Sequence, residues 1–178
     1  MSRCSALVGL GIDYAMIKIG LESYRLNSKE NLGRFNMYNC DGINVILDYG
    51  HNVEGYKKVF SALKEINNEK IIGVRGVPGD RNDEAIKEIG NISSQYLDEL
   101  IIKEDIYKRG RKAGEVAELI KAGATKNNKN SNIKIILDEI EAFKYALDKA
   151  EVNDTVVIFH EKIEPLIEVL KNKKIFNE

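Results

Sequence analysis

Hydrophobic residues in this chain fall into short continuous runs that alternate with segments of helical periodicity. The runs contain four or five apolar residues and end on turn or charged residues, which is typical of strands covered on both faces. Between the runs, apolar residues recur every three or four positions, as at Tyr56, Val59, Phe60 and Leu63, which predicts amphipathic helices. The pattern predicts strands at 35–40, 44–47, 70–74, 99–102, 133–137 and 155–159, and helices at 55–66, about 83–95, 114–122, 139–150 and from Pro165 onward.

Turn and capping residues separate these elements. Asp41 and Gly42 predict a hairpin between the first two strands. Asn82 or Asp83, and then Asp138, stand where helix N-caps are needed. Five strand–helix units with short loops predict an α/β fold, a Rossmann-like three-layer domain with a mostly parallel sheet.

The first 32 residues differ from this alternation. Residues 4–24 predict two short helices, the second capped by Asp13, and residues 26–32 are polar and predict a linker. Two short amphipathic helices have little of their own to pack on. We therefore interpret residues 1–32 as the end of a preceding domain and residues 33–178 as the Rossmann-like domain.

Composition and charge exclude several classes of function. The chain has 178 residues and a net charge of −1, so neither a nucleic-acid surface nor a membrane surface is indicated. No apolar run reaches the roughly 18 residues that a membrane helix needs, and the N-terminus does not resemble a signal peptide. Cys4 and Cys40 lack metal-type spacing, and two isolated cysteines favour a cytoplasmic protein.

The stretch 44–52 ends the second strand with a concentration of polar groups. Asp48, His51 and Asn52 follow an apolar run directly before a predicted helix. The carboxyl end of a parallel strand is the usual ligand crevice of such sheets, and a helix N-terminus favours anions. Asp48 is therefore a candidate for binding a sugar hydroxyl, and His51 for binding a phosphate. The alternative is that Asp48 and Asn52 only cap the turn and the helix, and that His51 is a surface residue.

Other predicted strands also end in polar or glycine residues. Because the carboxyl ends of parallel strands share one edge of a sheet, we expect these segments to line one rim. The rim segments are 48–52, 76–81, 104–111 and 160–162. Their mixed charges suit an anionic or zwitterionic ligand.

Each of these segments also has a purely structural interpretation. Gly76 and Gly79 belong to neither a Walker A loop nor a G-x-G-x-x-G fingerprint, so they need only form a turn. For Arg109 or Arg111 taken alone, a solvated charge is the favoured interpretation, and Lys162 is compatible with an ion pair to Glu161 or Glu164. The sequence presents no paired nucleophile and base and no metal-ligand cluster. We therefore predict a binding rim and no catalytic residue in this chain.

Ordered motifs resemble the C-terminal domain of the Mur ligase family of ATP-dependent amide-bond-forming enzymes. GRFN at 33–36 and LDYGHN at 47–52 resemble the opening of that domain. PGDRNDE at 78–84, EDIYKRGRKAGE at 104–115 and FHEKIEP at 159–165 most resemble the end of the cyanophycin synthetases within the family. The resemblance covers nearly all residues after 32, and residues 4–24 resemble the last helices of the family's central domain.

The resemblance implies a role in binding ATP. Family members activate a carboxylate with ATP as an acyl phosphate, which an incoming amine then attacks. On that pattern Arg34 and Asp48 would contact the nucleotide, Asp48 through its ribose. His51 and Asn52 would lie by the phosphates or the adenine. Magnesium ligands are expected mainly in the central domain.

The resemblance also implies an amino-acid site. The basic segment at Arg109 and Arg111 lies where related ligases recognise the incoming amino acid, with Asp80, Arg81 and Lys162 as neighbours. For a cyanophycin-type enzyme the amino acid would be arginine or aspartate. The central domain of the ligase would be the protein partner.

Two departures from the family pattern limit the expected activity. The family usually has proline after the His-Asn pair, where this chain has Val53. The sequence also lacks a GxxxxGK[ST] P-loop, so we expect the chain alone to form no amide bonds. The alternative function is a non-catalytic Rossmann-like binding or assembly module derived from such a ligase. A dinucleotide-dependent oxidoreductase is disfavoured because the glycine fingerprint is absent.

Overall fold

The predicted alternation of strands and helices is present in the computed structural model, which describes residues 13, 15–16, 34–50, 53–66, 69–126, 132–173 and 176–177. The strands are β1 (Asn36–Cys40), β2 (Ile43–Asp48), β3 (Ile71–Arg75), β4 (Glu99–Ile102), β5 (Asn132–Ile135), β6 (Thr155–Phe159) and β7 (Phe176–Asn177). The helices that alternate with them are α1 (Val53–Ile66), α2 (Asp83–Tyr96), α3 (Glu115–Thr125), α4 (Glu139–Lys149) and α5 (Glu164–Asn172).

The strands form one mixed sheet in the order β5-β4-β3-β6-β2-β1-β7. The five strands from β5 to β2 in this order are parallel, and β1 runs antiparallel to both β2 and β7. The predicted hairpin joins β1 to β2 through Asp41 and Gly42, whose φ angles of 53° and 80° suit a type I′ turn. After β5 the chain crosses back to place β6 between β3 and β2, which creates the topological switch point where such sheets bind ligands.

Helices cover both faces of the sheet. The side chains of α1, α2 and α3 form one core with sheet residues such as Ile46 and Val157. The side chains of α4 and α5 form a second core on the opposite face with Val45 and Ile158. Alternate residues of β2 and β6 therefore enter opposite cores, as the strand period of two requires. The predicted three-layer α/β fold is confirmed.

The ends of several elements differ from the prediction. Helix α3 continues to Thr125, beyond its predicted end at residue 122, because Ala124 is buried in the core and extends the apolar face of the helix. Strand β5 covers Asn132–Ile135 instead of 133–137, since Asp138 is the N-cap of α4 and the chain must turn before it. The two-residue strand β7 was not predicted.

Most of the predicted N-terminal segment lies outside the described residues. Within it, the carboxylate of Asp13 accepts a hydrogen bond of 2.7 Å from the backbone N–H of Ala15. The two predicted helices and the boundary at 32–33 remain predictions. Among the described helices, none combines the length and the apolar character needed to span a membrane.

Candidate functional site

The carboxyl ends of four neighbouring strands surround one cavity of about 180 Å³, which we call the rim cavity. Each strand contributes residues at or just beyond its carboxyl end, and α1 contributes one aromatic ring. The predicted shared rim is thus confirmed for the residues that the structure describes. The lining residues are Tyr49, Gly50, Tyr56, Gly76, Pro78, Lys103, Asp105, Arg109, Phe159, His160, Glu161 and Lys162.

Asp48, at the end of β2, organises the backbone on both sides of its strand. One carboxylate oxygen accepts a hydrogen bond of 2.8 Å from the N–H of Phe35, and the other accepts one of 2.5 Å from the N–H of Gly50. These contacts hold Phe35, just before β1, next to Gly50, just after β2. Each oxygen keeps a second acceptor position, so the predicted contact with a sugar hydroxyl remains a prediction.

Arg34 is brought to the rim by this arrangement. Its guanidinium carbon lies 5.8 Å from the centre of the Tyr49 ring, within cation–π range. Arg34 and Tyr49 line an open groove next to the rim cavity together with residues 160–164. The predicted nucleotide contacts His51 and Asn52 lie outside the described residues, and their roles remain predictions.

Arg75, which the sequence analysis did not single out, is fully buried beneath the rim cavity. Its guanidinium carbon lies 3.5 Å from the centre of the Tyr56 ring and 5.1 Å from that of Phe159, and both rings line the cavity. Its Nη1 donates a hydrogen bond of 3.0 Å to Ser93. Burial lowers the pKa of Arg75 to about 10, although the Tyr56 phenol acts in the opposite direction. The buried Arg75 cation thus packs against the Tyr56 and Phe159 rings from below and supports this part of the cavity lining, which we call the cavity floor.

Gly76 and Gly79 allow the loop after β4 to approach the loop after β3. A Cβ atom at Gly76 would lie 2.8 Å from the carbonyl oxygen of Lys103, and one at Gly79 would lie still closer to that of Lys108. Any side chain at either position would push the two loops apart. The glycines therefore do more than form the turn that their pattern indicated.

Asp80 and Arg109, both predicted substrate contacts, form an exposed ion pair with an Nη1–Oδ2 distance of 2.6 Å. Arg109 lines the rim cavity, and both residues line an adjoining groove with Arg81 and Tyr49. The φ angle of Arg109 is 50°, in the left-handed region. The structure therefore brings Asp80, Arg81 and Arg109 to one side of the rim, where Arg109 is accessible to a ligand.

Arg111, the fourth predicted substrate contact, binds the chain itself. Its guanidinium donates hydrogen bonds to the carbonyl oxygens of Gly79 and Arg81, at 2.8 Å each, and to the carboxylates of Asp83 and Glu115, at 2.7 and 2.8 Å. These contacts join the loop after β3 to the start of α3. Arg111 thus orders the segment that carries Asp80, which is a positioning contribution to the site.

Lys103, the first residue after β4, was also missed. Its side chain is 1% exposed, and its ammonium lies 2.7 Å from Glu139 and 3.0 Å from Asp105. Burial alone would lower the pKa of Lys103, but the carboxylates, Glu139 foremost, outweigh it and raise that pKa. Glu139 also accepts a hydrogen bond from the N–H of Glu161. This cluster therefore joins the ends of β4 and β6 to the start of α4.

Glu104 has a structural role next to this cluster. Its carboxylate accepts hydrogen bonds from the N–H groups of Gly114 and Ala117, at 3.0 and 3.2 Å, and lies 3.1 Å from the Lys108 ammonium. Burial would raise the pKa of Glu104, but these donors, led by the Gly114 N–H, hold it below its ordinary value. A charged cap from another segment thus replaces the side-chain cap that Gly114 cannot supply.

Residues 160–162 form the wall of the rim cavity that follows β6. Lys162 is exposed there, and within the described residues no ion pair joins it to Glu161 or Glu164, the pairing considered as its alternative. His160 is 6% exposed, and neither of its ring nitrogens has a hydrogen-bond partner within the described part of the chain. Burial lowers the pKa of His160, while the carboxylates of Glu139 and Asp48 act against that shift.

The missed residues left only weak signals in the sequence. Arg75 and Lys103 each follow an apolar run directly, as a solvated charge at a strand end also does. Only the partners that surround them identify their roles, and those partners lie on other segments of the chain. A metal site is not formed by the described residues, which contain no group of three or more metal-ligating side chains.

Comparison with known proteins identifies the family. The family model described as Mur ligase, glutamate ligase domain, matches residues 33–159. Cyanophycin synthetase of a Synechocystis strain is 36% identical over 174 residues, which cover 98% of this chain and 20% of that protein. Cyanophycin synthetase of Geminocystis herdmanii is 39% identical over 168 residues, covering 94% of this chain and 19% of that protein. This chain thus spans about a fifth of the length of these relatives.

The fold is shared with a solved ligase. A bifunctional folylpolyglutamate synthase/dihydrofolate synthase, crystallised with Mn, AMPPNP and L-glutamate, superimposes with a TM-score of 0.64 at 20% identity. The match covers 90% of this chain and 35% of that one.

Proposed function

The chain belongs to the Mur ligase family, and we propose that it forms the domain of an ATP-dependent amide-bond ligase that contacts the nucleotide and the incoming amino acid. The whole-enzyme reaction is assigned on the strength of the relatives, which are longer. ATP supplies the phosphoryl group that converts a carboxylate into an acyl phosphate. The proposal includes the domain boundary at 32–33 and a cytoplasmic location.

One observation carries this proposal: accessible cations and accessible carboxylates lie around the same rim. Arg34, Arg109 and Lys162 are exposed, and the partly exposed Asp105 and Glu161 line the rim cavity. Phosphate groups are bound by cations, whereas the two charged ends of a zwitterionic amino acid need both signs of charge. The mixture therefore supports a site that binds both ligands.

We assign nucleotide binding, the nucleotide half of the site, to the open groove lined by Arg34 and Tyr49. A guanidinium offers a planar fork for phosphate oxygens, and the Asp48 contacts hold the Arg34 segment against Tyr49. Asp48 would reach the ribose through its remaining acceptor positions. His51 and Asn52 stay in the proposal as contacts to the phosphates or the adenine.

The amino-acid half is assigned to the side of Arg109. Arg109 and Lys162 suit a carboxylate, and Asp80, Arg81 and Arg111 form the surrounding loop contacts. Arginine and aspartate are the proposed amino acids because the relatives that are 36% and 39% identical to this chain are cyanophycin synthetases.

The remaining parts of the active site are assigned to a P-loop domain. The sequence contains no GxxxxGK[ST] motif, and the described residues form no metal-ligand cluster. Magnesium and most phosphate contacts would therefore come from the central domain of the ligase. We expect the 178-residue chain alone to turn over no ATP.

A chemical-shift titration of the chain with ATP and magnesium tests the nucleotide half. We expect shifts concentrated at Arg34, Tyr49 and Gly50, and their loss in Arg34→Gln. Lys57→Gln is the matched control, because Lys57 is an exposed cation on α1 that pairs with Glu54. Equal loss in both variants would show non-specific attraction and contradict the nucleotide site.

The alternative is a non-catalytic Rossmann-like binding or assembly module. It is favoured if neither ATP nor an amino acid shifts any rim signal, in the chain alone and with a P-loop domain supplied. Amide formation by the isolated chain would contradict both proposals.

A further inference from the structure

His160 is a buried imidazole in the middle of the rim with unused hydrogen-bonding capacity. It follows β6, the strand at the topological switch point, and it lines both the rim cavity and the groove beside Arg34. The residue is 6% exposed, and its Nδ1 and Nε2 atoms have no hydrogen-bond partner among the described residues. Buried polar side chains are ordinarily paired, so a partner that is not among the described residues is indicated.

The surroundings of His160 favour a neutral ring. Burial lowers its pKa, and the ammonium of Lys103 acts in the same direction, while the carboxylates of Glu139, Asp48 and Glu164 oppose them. The ring of Tyr49 lies at a centroid distance of 6.1 Å. A neutral imidazole has one donor nitrogen and one acceptor nitrogen. At neutral pH His160 therefore has an acceptor available to a ligand.

Two carboxylates that line the same cavity also each have one oxygen available as an acceptor. Asp105 uses Oδ1 to pair with Lys103, at 3.0 Å, and Glu161 uses Oε2 to accept from the N–H of Ile106, at 2.8 Å. Each carboxylate has a second oxygen. The rim cavity thus combines one neutral nitrogen acceptor with two anionic oxygens, while the cations Arg109 and Lys162 line it as well.

We propose that His160 binds the amino group of the incoming amino acid, accepting one N–H of its ammonium while Asp105 and Glu161 accept the other two. An ammonium group has three donors, and the rim cavity offers three acceptors, one from the loop after β4 and two from consecutive residues after β6. The carboxylate of the same amino acid is then directed to Arg109 and Lys162. This inference rests on the proposed function and adds the residue that recognises the amine.

The imidazole signals of the chain provide a direct test, because the sequence has only two histidines. The probes are L-arginine and L-aspartate, each compared with its N-acetyl form, which keeps the carboxylate and loses the ammonium. The His160 signals are assigned with a His51→Asn variant. We expect the free amino acids to shift the ring nitrogens of His160 and to lower its pKa, because a nearby cation disfavours the imidazolium. The N-acetyl forms should leave both unchanged.

Variants at position 160 separate binding from folding. His160→Gln retains a side-chain acceptor, whereas His160→Leu removes it. We expect His160→Leu to weaken amino-acid binding about tenfold, since one hydrogen bond to a charged group is lost, and His160→Gln to weaken it less. Near-identical urea midpoints for the folded variants establish that the comparison reports binding.

The outcomes distinguish this inference from the proposed function. If free amino acids shift Arg109 while the His160 ring stays unchanged, the inference is overturned and the proposed function stands. Equal His160 shifts with the N-acetyl forms also overturn it, because the ammonium is then not the group recognised. If no amino acid shifts any signal, the inference and the amino-acid half of the proposal both fail, and the ATP titration independently decides the nucleotide half.

Discussion

The ammonium of Lys103 lies 2.7 Å from the carboxylate of Glu139, and this buried ion pair joins the end of β4 to the start of α4 beside the rim cavity. Asp105 contributes a second carboxylate to the same ammonium. The Lys103 ammonium holds the carboxylate of Asp105, a proposed ligand contact, and is itself held by Glu139. Rigid support of this kind is what orients a binding group.

Replacing Lys103 by methionine should strongly destabilise the domain. The variant leaves Glu139 and Asp105 without their buried counter-charge, which costs about 3–5 kcal/mol in comparable cases. Urea denaturation measures the change in the free energy of unfolding. Lys87→Met is the control, because Lys87 forms an exposed pair with Glu84, and it should leave the free energy of unfolding nearly unchanged. Equal effects of the two substitutions would refute the buried cluster.

Arg75→Lys should destabilise the cavity floor although it keeps a positive charge. A lysine cannot stack a planar cation on Tyr56 or reproduce the hydrogen bond to Ser93. We expect a loss of about 1–3 kcal/mol in the free energy of unfolding. Tyr56→Leu should lower the free energy of unfolding by a similar amount. In the double variant the two losses should not add, because both substitutions remove the same Arg75–Tyr56 contact. Strict additivity would indicate that the stack contributes nothing.

The two arginines of the loop after β4 should respond differently to the same substitution. Arg111→Lys loses several hydrogen bonds to the loop after β3 and to α3, so we expect it to lower the melting temperature clearly. Arg109→Lys alters only an exposed pair with Asp80 and should change stability by less than about 0.5 kcal/mol. Thermal melts of both variants check this order, and the reverse order would contradict it.

Gly76→Ala should separate the two loops of the rim. The added Cβ would lie 2.8 Å from the Lys103 carbonyl oxygen, and the backbone must move to relieve the clash. We expect a loss of about 1–3 kcal/mol in stability together with shifts in the amide signals after β4. Gly110→Ala is a useful comparison, because no atom lies within 4 Å of a Cβ there, although its φ of 88° adds local strain. If the amide signals of the residues after β4 do not shift in Gly76→Ala, the close approach of the loops after β3 and β4 is contradicted.

Stability should fall as the pH is lowered through the titration of His160. Its pKa in the folded chain is below the ordinary value of 6.5, so the unfolded chain binds the proton more readily. The contribution is therefore fully present above about pH 6.5 and is lost as the pH falls through the folded pKa. His160→Gln should remove this part of the pH dependence, seen as a smaller difference between urea midpoints measured at about pH 7.5 and about pH 5. An unchanged difference in the variant would show that His160 contributes nothing to it.

The sequence by itself determined the elements and the edge of the sheet on which the rim cavity lies. Apolar runs such as Val156 to Phe159 and helical spacing such as Tyr56 to Leu63 are local patterns, and they located β6 and α1 correctly. Because the strands were predicted to be parallel, their carboxyl ends had to meet, so Arg109 and Lys162 were placed on one rim without any coordinates. The Mur ligase family followed from ordered motifs, which also depend only on local sequence.

Tertiary structure alone decided which charges on that rim are available to a ligand. Arg109 and Arg111 are two residues apart and look alike in sequence, yet one lines the cavity and the other is held by the loop after β3. Lys103 resembles a solvated charge until Glu139 of a distant helix is placed against it. The reason is physical: the burial and the partners of a charged group are set by segments far apart in the chain, whereas periodicity records only whether a residue faces a core.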